Sequence, residues 1–278
     1  MKQIVILGLF LLSFTLPTSV LSHEEAKVGI ASGEDATLPP GPDIRIIINI
    51  PARKLTLLDE GKVVERYDVA VGQPIYKTPK GPQEITELIW NPWWIPPDSP
   101  WAAGERPDPP GPKNTLGPLK LPMGQGIRLH GTNKESSVGK WASHGCIRMR
   151  NSDVVKLGWY IQKRINNDPD ELLEKYKKYN RTSFYVKLLY PVKVDIVYEP
   201  VEIVDGMIHI YPNLYGWAGD VKTEVLKAAS SSGIDVGKLD LVKLESIRYP
   251  KKGDETVTVP LTEVVTSGAK ETKYVSAN

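Results

Sequence analysis

Three residues could carry covalent chemistry together: Cys146, the single cysteine in 278 residues, and two of the four histidines, His130 and His144. His144 stands two positions before the cysteine in Ser143-His144-Gly145-Cys146-Ile147-Arg148-Met149, and His130 opens the upstream segment His130-Gly131-Thr132-Asn133. A thiol becomes a strong nucleophile when a base or positive surroundings convert it to the thiolate. Gly145 allows the backbone to approach a substrate with no side chain in the way. Backbone N–H groups around Gly145 and Cys146 could point at a developing oxyanion. The same residues have two other uses. His130, His144 and Cys146 are all soft ligands, although without a second cysteine they make a weak zinc pattern. A lone thiol between small residues can also simply pack in a turn.

The elements around these residues must bring His130 to Cys146. Ile127–His130 is expected to be a short strand ending at the histidine, and Asn151–Ile165 has helical apolar spacing. Asn151 or Ser152 can cap that helix, and Asp153 suits the dipole at its start. Upstream, Ile44–Ile50 reads as a buried strand, and Lys54–Asp59 and Lys62–Val71 form a strand–turn–strand pattern about Glu60-Gly61. Glu84–Ile89 is a further strand. Residues 90–122 are crowded with Pro and Trp and lack periodicity. They are expected to form a long ordered loop, in which Trp90, Trp93, Trp94 and Trp101 either line a cleft or pack the loop down. Asp170–Tyr179 reads as a second helix, and Phe184–Leu189 and Val192–Val197 as strands. From about residue 200 the chain looks like a small appendage: a strand at Met207–Tyr211, a helix at Val221–Ala229, and Leu239–Leu244 open between strand and helix. His209 within it is expected to be structural or exposed, and the tail from Gly253 polar and frayed.

The whole chain limits the partners. Its 35 basic and 33 acidic residues nearly cancel, at net charge +2. No long basic run interrupts that balance, which argues against nucleic acid as a partner. At the N-terminus, Lys2 followed by the uncharged run Ile4–Leu16 and the break at Pro17 reads as a signal peptide over residues 1–22. The run is short of the roughly 20 apolar residues of a membrane-spanning anchor, so export without a stable span after cleavage is expected. His23 would then stand at the mature N-terminus, an incidental residue. Residues 23–42, ending in Pro39-Pro40-Gly41-Pro42, read as an extended linker. In an oxidising exported compartment an unpaired cysteine is either incidental or kept for its chemistry. A redox enzyme would usually supply a resolving cysteine, and none is present.

The stretch His130-Gly131-Thr132-Asn133 through Ser143-His144-Gly145-Cys146-Ile147-Arg148-Met149 resembles the signature of the L,D-transpeptidase (YkuD-type) family. Val71-Gly72 followed by Thr78-Pro79-Lys80-Gly81 looks like the family's upstream glycine and TPxG loop, and residues 91–97 (NPWWIPP) resemble its large Gram-negative-type branch. The resemblance covers roughly residues 43–160 and resumes near 192–199. It implies a mainly β fold with α, a β-rich catalytic sandwich with packed helices over residues 43–199. Residues 161–191 would be an insertion, and residues 200–278 a small C-terminal α+β accessory region. It further implies a periplasmic or cell-envelope enzyme acting on the peptide stems of peptidoglycan, both as donor and as acceptor. Cys146 would attack the carbonyl of the third residue of a tetrapeptide stem, release D-Ala, and pass the acyl group from the thioester to an amine. That amine could belong to another stem or to a wall-anchored lipoprotein; water as acceptor would give an L,D-carboxypeptidase instead. By position, His130 matches the base, the Gly131 carbonyl its orienting group, and His144, Gly145 and Cys146 the oxyanion-hole segment. Arg148 departs from the Asn of many members; its fork could bind a stem carboxylate or pair within the fold. Ser143, Thr132, Asn133 and Trp141 are the remaining candidates for substrate contact. Such thioester chemistry requires no metal and no organic cofactor.

Overall fold

The computed structural model of the protein describes residues 40–266. The expected signal peptide, most of the expected linker, His23 and the last residues of the tail lie outside the described residues.

The chain begins with three strands in a meander: β1 (Ile44–Asn49), β2 (Lys54–Asp59) and β3 (Lys62–Asp68). In β1 the alternation is literal: Ile44, Ile46 and Ile48 are buried and Arg45 is exposed, because successive side chains point to opposite faces. The β2–β3 turn is built by Glu60 (φ 50°) and Gly61 (φ 74°), the paired positive φ values that match the twist of a two-residue hairpin. β4 (Val71–Gly72) follows, then β5 (Gly81–Trp90), β6 (Leu119–Pro122), β7 (Arg128–His130), β8 (Trp141–Ser143) and β9 (Ile147–Arg148). Two helices come next, α1 (Asn151–Asn166) and α2 (Glu171–Lys178), and then β10 (Phe184–Val197).

These elements make one eight-stranded sheet in the order β3-β2-β1-β10-β5-β6-β7-β9, and a separate parallel pair, β4 with β8. β10 is a single strand where two were expected; its register against β5 shifts between Lys187 and Val192. That irregularity, around Pro191, is what the sequence pattern had suggested as a break. Helix α1 buries Val154, Leu157, Ile161 and Ile165, and these join Ile46, Leu57, Leu88, Leu119, Leu129 and Ile147 in the main core. The stretch expected as an insertion, 161–191, is woven into this frame at both ends. Ile161 and Ile165 belong to the core face of α1, and residues 184–191 are the first half of β10.

The cap of α1 differs from expectation. Arg150 occupies the position before the helix and makes no side-chain cap. Instead the first backbone N–H, of Asn151, donates to Glu135 Oε1 at 2.8 Å, which leaves the Asn151 side chain for another task described below. The loop expected over residues 90–122 is shorter: residues 91–118 form it, with a 3-10 turn at Pro100–Ala102, whereas Trp90 ends β5 and Leu119–Pro122 is β6, a four-residue strand that the surrounding prolines hide in the sequence. The base of the loop is pinned by Asn91, whose Nδ2 donates to the Tyr176 carbonyl at 2.8 Å, and its crossing by Asn114, whose Nδ2 donates to Pro92 O at 3.1 Å. Trp90 belongs to the core and not to a cleft: it stacks on Tyr176 and donates from Nε1 to Gln162 Oε1 at 2.8 Å.

Beyond residue 200 the chain forms a three-stranded antiparallel sheet, β11 (Val201–Val204), β12 (Met207–Ile210) and β13 (Val257–Pro260), with α3 (Val221–Ser231) and α4 (Leu241–Ser246). It has its own apolar cluster, including Ile208, Ile210, Val225, Leu244 and Leu261. Asp220 and Asp240 cap α3 and α4 by accepting from Thr223 N and Val242 N, so Leu241–Ser246 is helix and not strand. The tail expected to fray from Gly253 does not do so through residue 265. Val257–Pro260 pairs with β12, and Leu261, Val264 and Val265 are buried. The polar run Lys251–Glu255 hides this strand in the sequence, because only four residues carry its pattern. Among the described residues no helix is long and apolar enough to cross a membrane.

Candidate active site

Strand pairing brings the two motif segments together. β7 and β9 are adjacent and parallel, with Leu129 opposite Ile147 and His130 opposite Arg148. Leu129 and Ile147 are fully buried in the core. Alternation therefore puts His130 and Arg148 side by side on the other face. Cys146 immediately precedes β9, is half-buried, and lies close enough to Arg148 for their charges to interact. From β6, Lys120 sits opposite His130 and joins the same row.

His130 is 4% exposed, and its Nδ1 lies 2.5 Å from the Gly131 carbonyl. A carbonyl can only accept, so Nδ1 carries the proton and Nε2 is the unprotonated nitrogen. Burial pushes the imidazole down to about 3, against the opposing pull of the Gly131 bond, and the cations Arg148, Arg128 and Lys120 push it the same way as burial. The ring is thus neutral at physiological pH. Its seat is fixed by Asn151, whose Oδ1 accepts from Thr132 N at 2.8 Å and whose Nδ2 donates to Thr132 O at 2.9 Å. The residue expected to cap α1 thus ties the helix start to the segment after His130.

The cysteine turn is braced from within. Ser143 Oγ donates to the Cys146 carbonyl at 2.5 Å and accepts from Gly145 N at 3.1 Å. Gly145 has φ +109°, a left-handed backbone that side-chain-bearing residues rarely adopt. Its N–H donates to Ser143 Oγ. The N–H groups of His144 and Cys146 have no hydrogen-bond acceptor among the described residues. The His144 ring is stacked face to face on Trp101, with centroids 4.1 Å apart and planes within 1°, and meets Tyr76 edge-on at 4.6 Å. Burial lowers the His144 pKa, and Arg148 adds to it.

Arg148 keeps its guanidinium unspent: no carboxylate pairs with it among the described residues. Burial lowers its pKa, while the neighbouring Cys146 acts in the opposite direction. The other expected substrate contacts are otherwise engaged. Ser143 is buried in the turn just described. Thr132 is buried too, and its Oγ1 accepts from Lys134 N at 3.0 Å. Asn133 is exposed and reaches the loop at Lys113 O, 3.2 Å away. Trp141 donates from Nε1 to Gly253 O at 3.0 Å and packs edge-on against Tyr215. It binds the C-terminal region to the site; the polar end that would meet a ligand is already used. Trp93 is exposed, and His209 lies on the small sheet with Nδ1 3.3 Å from Thr258 Oγ1.

Two residues at the site were not singled out as functional in the sequence. Thr78 donates from Oγ1 to the Gly145 carbonyl at 2.9 Å; its only signal was its place in Thr78-Pro79-Lys80-Gly81. Tyr215 hydrogen-bonds Thr78 from 137 residues away in the chain, a separation at which no local pattern operates. Among the described residues no group of three or more His, Cys, Asp or Glu is gathered to hold a metal ion.

The model of the YkuD family, described as the L,D-transpeptidase catalytic domain, matches residues 43–171. A Bacillus subtilis protein named as an L,D-transpeptidase, YkuD, is 31% identical over 152 residues, which cover 52% of this chain and 80% of that protein. A second B. subtilis protein so named, YqjB, is 37% identical over 42% of this chain and 65% of its own length. An Escherichia coli protein named as an L,D-transpeptidase, ErfK/SrfK, is 30% identical, and the chain spans 46% of its length. Among solved structures, an L,D-transpeptidase from Mycobacterium smegmatis superposes with a TM-score of 0.37 at 16% identity, covering 56% of this chain and 59% of that one.

Proposed function

Because the chain belongs to the L,D-transpeptidase family of the YkuD type, we propose that it is an exported cysteine acyltransferase of the cell envelope that acts on peptidoglycan peptide stems. The observation that carries this reading is a neutral, Nδ1-protonated His130 at the end of β7, adjacent to the strand β9 that directly follows Cys146. His130 Nε2 takes the thiol proton as Sγ attacks the carbonyl of the third residue of a tetrapeptide stem. The N–H groups of Cys146 and His144, both free of other acceptors, are the donors available to the tetrahedral oxyanion. As the intermediate collapses, the bond to D-Ala breaks, and the imidazolium returns its proton to the leaving amine. The resulting thioester is then attacked by an acceptor amine. His130 accepts that amine's proton and gives it back to the departing sulfur, which restores the thiol. Arg148, cationic and unpaired beside Cys146, is the group suited to a carboxylate of the stem, through its two-pronged donor geometry. Ser143, Thr132 and Asn151 hold the backbone at the site. Neither a metal nor an organic cofactor enters these steps.

The test is to incubate the purified protein, and Cys146→Ala beside it, with a disaccharide-tetrapeptide and to follow products by mass spectrometry. Cross-linked dimer made by the wild type and absent from Cys146→Ala establishes the transferase. Tripeptide alone, still dependent on Cys146, identifies water as the acceptor and a carboxypeptidase. Unchanged substrate with an intact thiol contradicts action on this stem.

A further inference from the structure

Tyr215 reaches back from the C-terminal region into the main core and ends at the turn that holds Cys146. Its hydroxyl donates to Gly72 O at 2.7 Å and accepts from Thr78 N at 2.9 Å. Thr78 Oγ1 in turn accepts from Gly72 N at 2.9 Å and donates to Gly145 O at 2.9 Å. Each hydroxyl donates once and accepts once, so the chain of bonds has a single consistent set of proton positions. Gly72 is required where the two hydroxyls meet. A Cβ there would lie 2.0 Å from Tyr76 O and 3.0 Å from the Tyr215 hydroxyl.

The end of this relay is one peptide unit. The Gly145 carbonyl and the Cys146 N–H share a rigid plane and point in opposite directions. Holding the carbonyl on Thr78 therefore fixes the direction of the N–H, which is the donor without an acceptor beside the nucleophile. We propose that Tyr215 is a positioning residue: through Thr78 it orients the Gly145–Cys146 peptide so that the Cys146 N–H meets the oxyanion. In this way the region beyond residue 200 becomes part of the acyl-transfer apparatus. The proposal rests on the acyl-transfer reading above. The tyrosine ring is seated independently of its hydroxyl. It meets Trp141 edge-on at 4.9 Å and Trp217 at 4.8 Å, and stacks on Tyr198 at 5.6 Å. The Tyr215 backbone N–H also donates to the Tyr198 hydroxyl at 3.0 Å. Replacing Tyr215 by Phe thus removes the two relay bonds and keeps the packing.

The test compares the wild type with Tyr215→Phe, Thr78→Val, Thr78→Ser and the double variant Tyr215→Phe with Thr78→Val. Three rates are read: D-Ala release from the tetrapeptide, acylation by p-nitrophenyl acetate, and alkylation of Cys146 by iodoacetamide. Ester acylation forms the same tetrahedral oxyanion, with the sulfur–carbon bond made and nitrophenolate expelled; alkylation forms none. A misaimed oxyanion donor costs less than a deleted one, so Tyr215→Phe is expected to lower kcat for both acylations about tenfold, with KM within about twofold. Alkylation should keep its wild-type rate. Thr78→Ser should recover most of what Thr78→Val loses, and the double variant should lose no more than the worse single one. Wild-type acylation by Tyr215→Phe overturns the proposal, and so does an equal loss of acylation and alkylation, the mark of general disruption. A wild type that takes the ester and refuses the stem overturns the substrate reading alone, since the ester rates still test the relay. A wild type that takes neither overturns both.

Discussion

The nucleophile's neighbourhood and the region after residue 200 obtain their order in different ways. Around Cys146 the polar groups are supplied locally. Ser143, Gly145, His130, Gly131, Thr132 and Asn151 lie within 22 residues and satisfy one another. The apolar side of the same strands is sealed by Leu129 and Ile147. The C-terminal region instead builds a small core of its own and sends single side chains and carbonyls across. Tyr215 and the Gly253 carbonyl meet Thr78 and Trp141 at separations above 100 residues. The first arrangement sets the chemistry; the second sets its alignment. Damage to the first should abolish reaction, whereas damage to the second should leave a reactive thiol that acylates poorly.

Cys146→Ala has the largest expected effect, with stem processing below about one thousandth of wild type, as for loss of other covalent nucleophiles; turnover above that level would remove Cys146 from the reaction. His130→Gln should cost about 10²–10⁴ in kcat, the usual contribution of a positioned general base, read from D-Ala release. Asn151→Ala removes both bonds to Thr132 and should lower stability by about 1–3 kcal/mol, seen as a reduced denaturation midpoint together with a slower reaction. An unchanged midpoint would mean that the His130 segment holds itself.

The next effect is one of pH. The folded-state pKa of His130 lies near 3, against 6.5 for an ordinary histidine. As pH falls below about 6.5 the unfolded chain takes up the proton first, so stability drops down to about pH 3, by at most about 1.4 kcal/mol per pH unit from this group. Wild type and His130→Gln should therefore diverge in urea midpoint between these pH values, the wild type losing more; parallel curves would contradict the buried neutral ring. The smallest effect is expected at His209, half-buried on the small sheet and outside the Tyr215 relay. His209→Ala should change stability by no more than about 0.5 kcal/mol and leave D-Ala release at the wild-type rate.

What could be read from the residues follows the same division. The longer strands of the main sheet announce themselves through alternation, as in Ile44–Asn49, while β6 and β9, of four and two residues, do not; the catalytic candidates show through a compact run of residues with few other uses. The roles within that run were harder to read. Ser143 and Thr132 have the side chains of ligand contacts, but burial and backbone bonds turn both into braces. Asn151 has the type and position of a helix cap, yet Glu135 satisfies the first helical N–H and frees it for Thr132. Trp90 differs from Trp101 only in its neighbours: one finds Gln162 and Tyr176 in the core, the other finds His144. These outcomes depend on which polar atom reaches a partner first, and spacing carries no record of that. Tyr215 was out of reach for the same reason, and β13 because four residues amid polar neighbours give too short a pattern.

Acylation of Cys146 by a stem, with His130 as the base, underlies every proposed step. It is tested most directly by trapping the intermediate: the protein is mixed with tetrapeptide, quenched in acid within the first turnover, and weighed intact. The expected result is a mass increase equal to the stem less D-Ala, carried on the peptide containing Cys146, slow to form in His130→Gln and absent in Cys146→Ala. Release of D-Ala with no adduct on Cys146, or the same adduct formed at an unchanged rate by His130→Gln, would contradict it.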